Sequence, residues 1–204
     1  MDGTIVDSEP YWMATEHELV AEFGGTWTPE DAESIVGFDL LDAGAALRDR
    51  GGVPMEPAAI VERLLDGVIA KTLEQLNWRP GAKELLIEAR EAHVPCVLVT
   101  MSWRRFADAV IEAAPDGAFI GSITGDEVER GKPAPDPYLA AAELIGVDPG
   151  DCVAIEDSPT GVASALAAGC RTIAVPHVVD VEPRQGLTIW PDLSGRTLAD
   201  LAAI

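Results

Sequence analysis

Residues 152–176, CVAIEDSPTGVASALAAGCRTIAVP, decide the fold. A short apolar run, CVAIE at 152–156, leads to Ser158 and Pro159, a helix cap followed by a first-turn proline. A helical pattern then continues to Gly169, a residue type that closes helices. RTIAVP at 171–176 is a second apolar run. Strand, helix and strand in this order predict two parallel strands joined by a crossover helix. Two carboxylates, Glu156 and Asp157, stand directly at the end of the first run. In open parallel sheets, ligands bind beyond the carboxyl ends of the strands. Adjacent carboxylates repel unless a cation holds them, and an oxygen-rich, partly hydrated site of this kind suits Mg²⁺. The plainer alternative is that Asp157 and Ser158 only cap the next helix.

The alternation extends outward from this unit. Residues 81–92 predict an amphipathic helix, and VPCVLVT at 94–100 a buried parallel strand. Residues 104–114 predict a helix and 118–124 a weaker strand. Asp136 as N-cap and Pro137 at the first helical position predict a helix to about Ile145. The Pro- and Gly-rich stretch 180–197 predicts a loop with one short strand at Leu187–Trp190. The expected fold class is α/β, a parallel sheet with helices on both faces.

Residues 11–78 differ, with helix patterns and no convincing strand. Thr28–Pro29 and Pro57 start helices, while Gly37 and Gly51–Gly52 break them. The expected organisation is a core of 1–10 and 79–204 with an inserted all-helical cap at 11–78.

Composition bounds the function. The 204 residues carry a formal net charge of −21, with 48% hydrophobic residues, which describes a globular chain. That charge repels nucleic acid and anionic membranes, so neither is expected as a partner. No apolar run approaches the ~20 residues of a membrane span, and no signal peptide is visible. Cys96, Cys152 and Cys170 form no CxxC pair and read as buried reduced thiols, suiting a cytoplasmic protein. His17, His93 and His177 show no ligand spacing.

Two further polar residues stand where the sheet ends. Thr100 closes the run VLVT and could equally close a backbone turn. Lys132 lies in the turn-rich RGKPAPDPY and could equally be a solvated loop charge. The order decides. DGTIVDS at 2–8, LVTMS at 98–102, GKPAPDPY at 131–138 and VAIEDSPTGV at 153–162 resemble the four motifs of the haloacid dehalogenase-like (HAD) phosphatases. The block at 11–78 is similar, less specifically, to the helical caps of the branch with β-phosphoglucomutase and small sugar-phosphate phosphatases.

The resemblance implies a Rossmann-like sheet and assigns roles. Asp2 is the implied general acid/base, with its backbone carbonyl on Mg²⁺. Thr100, Met101, Ser102 and Lys132 are the implied phosphate-binding set, Lys132 also holding the phosphoryl group against the nucleophile. Asp157 is the implied Mg²⁺ ligand, with Glu156 ligating directly or through water. Gly3 and Thr4 shape a loop that brings N–H groups to the phosphate. The nucleophilic aspartate of the family falls just before Met1, together with the central strand that bears it. The resemblance therefore implies a chain truncated at its N-terminus.

The implied activity is hydrolysis of a small phosphorylated metabolite, a sugar phosphate foremost, by a monomer. Three alternatives stay open. A phosphosugar mutase needs cap cations, for which Arg48, Arg50 and Arg63 are candidates against a plain solvated face. A dehalogenase generally lacks the second aspartate. An inactive fragment retains only binding. Trp12, Trp27, Phe38, Trp103 and Arg104 are the candidates for substrate contacts, although aromatics at helical spacing are usually core.

Overall fold

In the computed structural model, residues 1–36 and 38–204 are described; Gly37, an expected helix break, lies outside them. The chain divides into two compact units. One joins Met1–Asp7 to Leu76–Ile204, and the other is Ser8–Gln75.

The second unit is helical. Its helices are α1 (Glu9–Glu22), α2 (Pro29–Glu33), α3 (Leu40–Asp49) and α4 (Pro57–Glu74). Thr28 starts α2 with a full capping box: its hydroxyl accepts from Asp31 N–H while the Asp31 carboxylate accepts from Thr28 N–H. Pro57 opens α4, where its missing N–H costs nothing. Leu19, Val20, Trp27, Leu47, Ile60 and Leu64 form its buried core.

The first unit alternates helix and strand. In chain order these are α5 (Ala82–Glu91), β1 (Val97–Val99), α6 (Arg104–Ala113), β2 (Gly121–Ile123), α7 (Asp136–Ile145), β3 (Val153–Glu156), α8 (Pro159–Ala168), β4 (Arg171–Ala174), β5 (Leu187–Ile189) and α9 (Leu198–Ala202). Every strand pair is parallel, as the apolar runs predict. The sheet comes in two pieces, β1-β2 and β3-β4-β5, so β1 and β3 are each paired on one side only. Leu98 lies opposite Ser122, and Ile155 opposite Ile173. The strands are shorter than their apolar runs. Within the run 94–100 the strand proper is Val97–Val99, with Cys96 carbonyl and Thr100 N–H bonding Ile120 and Ile123 at its two ends.

Local chemistry explains the crossover that began the sequence reading. The Ser158 hydroxyl accepts from Gly161 N–H, and Gly169 ends α8 in the left-handed region. The small residues Ala165 and Ala168 let α8 pack closely over Ala154 and Cys170. On the other face, Ala82 and Leu85 of α5 pack with Ile173, Val175, Trp190 and Leu193.

Two expectations need correction, and one helix had not been expected. Asp136 is the first residue of α7 rather than its N-cap, because its carboxylate is drawn to Arg130 Nε, 2.9 Å away. Beyond the expected loop 180–197, Leu198–Ala202 form α9, started by a Thr197/Asp200 capping box. Only Cys170 is fully buried; Cys96 and Cys152 are half-buried. Among the described residues, no helix is long and apolar enough to cross a membrane.

Candidate active site

The N-terminal residues make a tight turn rather than a strand. Met1 carbonyl accepts from Ile5 N–H at 2.8 Å, and Gly3 N–H donates to Val6 carbonyl at 2.8 Å. Gly3 has φ +68°, which glycine tolerates best. A Cβ there would stand 2.2 Å from Asp157 Oδ2, so the turn fits only glycine against that carboxylate. The N–H groups of Gly3 and Thr4 bond Val6 and Met1 carbonyls inside the turn. The Thr4 hydroxyl instead donates to Asp157 Oδ1 at 2.9 Å.

The end of β1 supplies the next contacts. Thr100 is buried, and its N–H continues the β1-β2 ladder to Ile123 carbonyl. Its Oγ1 accepts from Ser102 N–H at 3.0 Å, leaving the hydroxyl proton to donate elsewhere. Ser102 Oγ donates to Asp2 Oδ2 at 2.8 Å. Ser102, expected on the phosphate, thus bonds Asp2 in this structure. Met101 packs its sulfur against Gly131, and Lys132 N–H points to that sulfur at 3.2 Å.

Lys132 and Glu156 form the centre. Lys132 Nζ lies 2.5 Å from Glu156 Oε1 and 3.1 Å from Val99 carbonyl. The two side chains are 10% and 5% exposed. Tyr138 hydroxyl also donates to Glu156 Oε1. A Cβ on Gly161, in the first turn of α8, would stand 1.9 Å from Glu156 Oε2. Two of the three ammonium N–H groups are thus engaged, and one remains for a ligand. Burial pushes the Glu156 carboxyl up, but the Lys132 ammonium, the amino terminus and the Lys132 and Tyr138 hydrogen bonds outweigh it and hold it below the ordinary carboxylate value. Burial raises the Asp157 carboxyl, reinforced by Glu156, despite the nearby amino terminus and Thr4.

The expected metal set is Asp2, through its backbone carbonyl, with Asp157 and Glu156. Among the described residues, no three of His, Cys, Asp and Glu gather to hold a metal. Lys132 and Tyr138 both bond Glu156 Oε1. Asp2 and Asp157 remain as oxygen donors on two loops at the ends of strands. Mg²⁺ uses one or two carboxylates with water and substrate oxygens, so this pair fits it.

Asp2, Thr100, Ser102, Lys132, Glu156 and Asp157 are thus linked by short hydrogen bonds or adjacency at the carboxyl ends of β1 and β3. A family model described as haloacid dehalogenase-like hydrolase matches residues 1–169. The chain belongs to the haloacid dehalogenase-like hydrolases. Its relatives include Protein CbbY of Rhodobacter capsulatus, 41% identical over 211 aligned residues, covering 95% of this chain and 91% of that protein. Hexitol phosphatase A of Escherichia coli K12 is 36% identical over 183 residues, covering 86% and 80%. CbbY of Rhodobacter sphaeroides, solved in complex with phosphate, superposes with TM-score 0.86 at 26% identity, covering 99% of this chain and 96% of that one. This HAD hydrolase therefore has the α/β, Rossmann-like fold that its motifs implied.

Other candidates in the hydrolase are committed elsewhere. Arg104 pairs with Glu127 and Asp108. Arg48 pairs with Asp49, Arg50 with Asp31, and Arg63 with Glu22. Trp12 and Trp27 belong to the core of the helical unit, while Phe38 is exposed. His177 Nε2 lies 3.3 Å from Asp7 Oδ1. Sequence reasoning missed Tyr138 and Gly161 as partners of Glu156. Tyr138 ends the quoted GKPAPDPY motif and Gly161 lies within VAIEDSPTGV, but nothing in the sequence says that either faces a carboxylate.

Proposed function

We propose that this hydrolase is a Mg²⁺-dependent phosphomonoesterase acting on a small phosphorylated metabolite of the sugar-phosphate or sugar-alcohol-phosphate class. The relation to a hexitol phosphatase and to a CbbY solved with phosphate supports that class. The observation that carries the reading is the buried Lys132, anchored by Val99 and Glu156 with one N–H to spare, beside the free Thr100 hydroxyl proton.

In this reading the Thr100 hydroxyl and Lys132 ammonium bind phosphoryl oxygens and offset their charge. Asp2, oriented by Ser102, gives its proton to the leaving oxygen as the P–O bond breaks. It then takes a proton from the water that attacks phosphorus. The Asp157 carboxylate and the Asp2 backbone carbonyl would hold Mg²⁺, which when bound supplies further neutralisation of phosphoryl charge. Glu156 keeps Lys132 in place. The covalent step needs a carboxylate nucleophile, which the proposal assigns to an aspartate immediately ahead of Met1. The helical unit Ser8–Gln75 is the cap that selects the leaving group. A cytoplasmic monomer completes the reading, supported by three free thiols.

The test is an assay of hexitol phosphates and other phosphomonoesters with Mg²⁺, using the protein translated from the in-frame upstream codons. Hydrolysis that disappears with EDTA, and in an Asp-to-Asn variant of the residue before Met1, is expected. An extended protein that releases no phosphate from any ester overturns the reading.

A further inference from the structure

We infer that Cys152 and Cys170 are a disulfide-forming pair, closed by a small disulfide oxidant of the glutathione disulfide class and reopened by thiols. The pairing follows from strand register and is independent of the phosphatase chemistry.

β3 and β4 run parallel, with Val153 opposite Arg171 and Ala154 opposite Thr172. Arg171 N–H donates to Cys152 carbonyl at 3.0 Å. Cys152 is already extended, with φ −90° and ψ 145°, where the 3₁₀ turn Pro149–Asp151 ends. One step back along both chains therefore sets Cys152 opposite Cys170. Neighbouring strands lie about 4.8 Å apart. A disulfide needs Cα atoms roughly 4.4–6.8 Å apart, with side chains that converge. These two converge: both pack in one cluster with Ala154, Ala165 and Ala168, on the face that α8 covers. Cys170 is fixed there by its N–H, which donates to Ala165 carbonyl at 3.1 Å. The same reasoning separates the third thiol. Val97 lies opposite Gly121, and Ile120 N–H donates to Cys96 carbonyl, so Ile120 faces Cys96 on the neighbouring strand.

Exposure sets the order of events. Cys152 is half-buried and Cys170 is buried, so the oxidant enters at Cys152. The Cys152 thiolate attacks one sulfur of glutathione disulfide and releases one glutathione. The Cys170 thiolate then attacks the Cys152 sulfur and displaces the second. Two protein thiols lose two protons and two electrons, and the oxidant becomes two thiols. Burial, with the charge of Cys152 beside it, pushes the Cys170 thiol up to about 11, so the closing step waits on ionisation and quickens as pH rises. A reducing compartment keeps the pair open, and oxidising conditions close it. The bond joins the starts of β3 and β4, at the opposite end of β3 from Glu156 and Asp157, and encloses α8 in a covalent loop.

The test treats the protein with glutathione disulfide, blocks free thiols with iodoacetamide and digests it with trypsin without reductant. Residues 131–171 form one tryptic peptide that holds both cysteines, while Cys96 lies in another. The 131–171 peptide is expected to lose about 2 Da, to escape alkylation and to regain both thiols with dithiothreitol. Closure is expected to quicken by up to about tenfold per pH unit above neutrality. Cys152→Ser and Cys170→Ser each abolish it, and Cys170→Ser leaves Cys152 carrying glutathione. Cys96→Ser leaves closure unchanged. A parent protein in which Cys152 keeps its glutathione without closing overturns the inference. So does closure no faster in native buffer than in urea, or crosslinking of Cys96 as frequent as that of the proposed pair.

Discussion

Lys132 Nζ lies 2.5 Å from Glu156 Oε1, and through its second bond to Val99 carbonyl it ties the ends of two strands from separate sheet pieces. Removing the lysine leaves a buried carboxylate beside Tyr138. Lys132→Ala is expected to cost roughly 3–5 kcal/mol in urea unfolding and to abolish phosphate release. The pH dependence has a definite sign. The Glu156 carboxyl is held below its ordinary value, so its contribution is present above the unfolded value and lost as pH falls through the folded one. Lys132→Ala is expected to flatten that acid limb of stability.

Gly161→Ala probes the same carboxylate without touching its charge. The added methyl would stand 1.9 Å from Glu156 Oε2. The expected result is a loss of about 1–3 kcal/mol despite the better helix propensity of alanine. A variant as stable as the parent in thermal unfolding refutes this account of the α8 start.

Asp157→Asn separates stability from activity. Burial raises the Asp157 carboxyl in the folded state, so ionisation is unfavourable there and stability falls as pH rises through that value. The amide removes the charge and still accepts from Thr4. At neutral pH without Mg²⁺, the variant is expected to gain about 0.5–2 kcal/mol while losing turnover and Mg²⁺ binding. Calorimetry and Mg²⁺ titration check the two halves.

Ser102→Ala leaves Asp2 without the hydroxyl that orients it. A positioning role predicts a fall in kcat of about 10- to 100-fold with little change in KM. An unchanged kcat with a raised KM returns Ser102 to phosphate binding. Asp2→Asn is expected to cost about 10²–10⁴-fold in kcat.

Glu16 in the helical unit is 6% exposed and accepts from Trp27 Nε1 at 3.1 Å. Burial raises its carboxyl against that hydrogen bond. The unit therefore loses stability as pH rises through the raised value. Glu16→Gln is expected to raise the melting temperature at neutral pH and to leave it unchanged in acid, where Glu16 is already protonated.

Much of the core was legible because its signals are local. Ser158, Pro159 and Gly169 mark the bounds of α8 by cap chemistry, and the apolar runs around them mark β3 and β4. The family was legible through the order of the four motifs along the chain. What escaped were relations set by packing. Glu156 reads in sequence as half of an acidic pair, yet Lys132 and Tyr138 claim it from 24 and 18 residues away. Ser102 reads as a phosphate donor, yet Asp2, 100 residues distant in the chain, takes its hydroxyl. Asp136 reads as a cap until Arg130 is placed beside it. Helix α9 was missed although Thr197 and Asp200 spell a capping box, because its five residues are too few to show a helical period.

The chain leaves the sheet-bearing unit at Asp7 and is back in it by Asn77, and Asp7 N–H donates to Asn77 carbonyl at 2.8 Å. Val6 and Trp78 extend that handclasp by one antiparallel bridge. The 68 residues of Ser8–Gln75 therefore hang from a closed doorway. A lineage can lengthen, shorten or exchange that insert while the two ends of the doorway stay joined and the sheet-bearing unit is inherited intact.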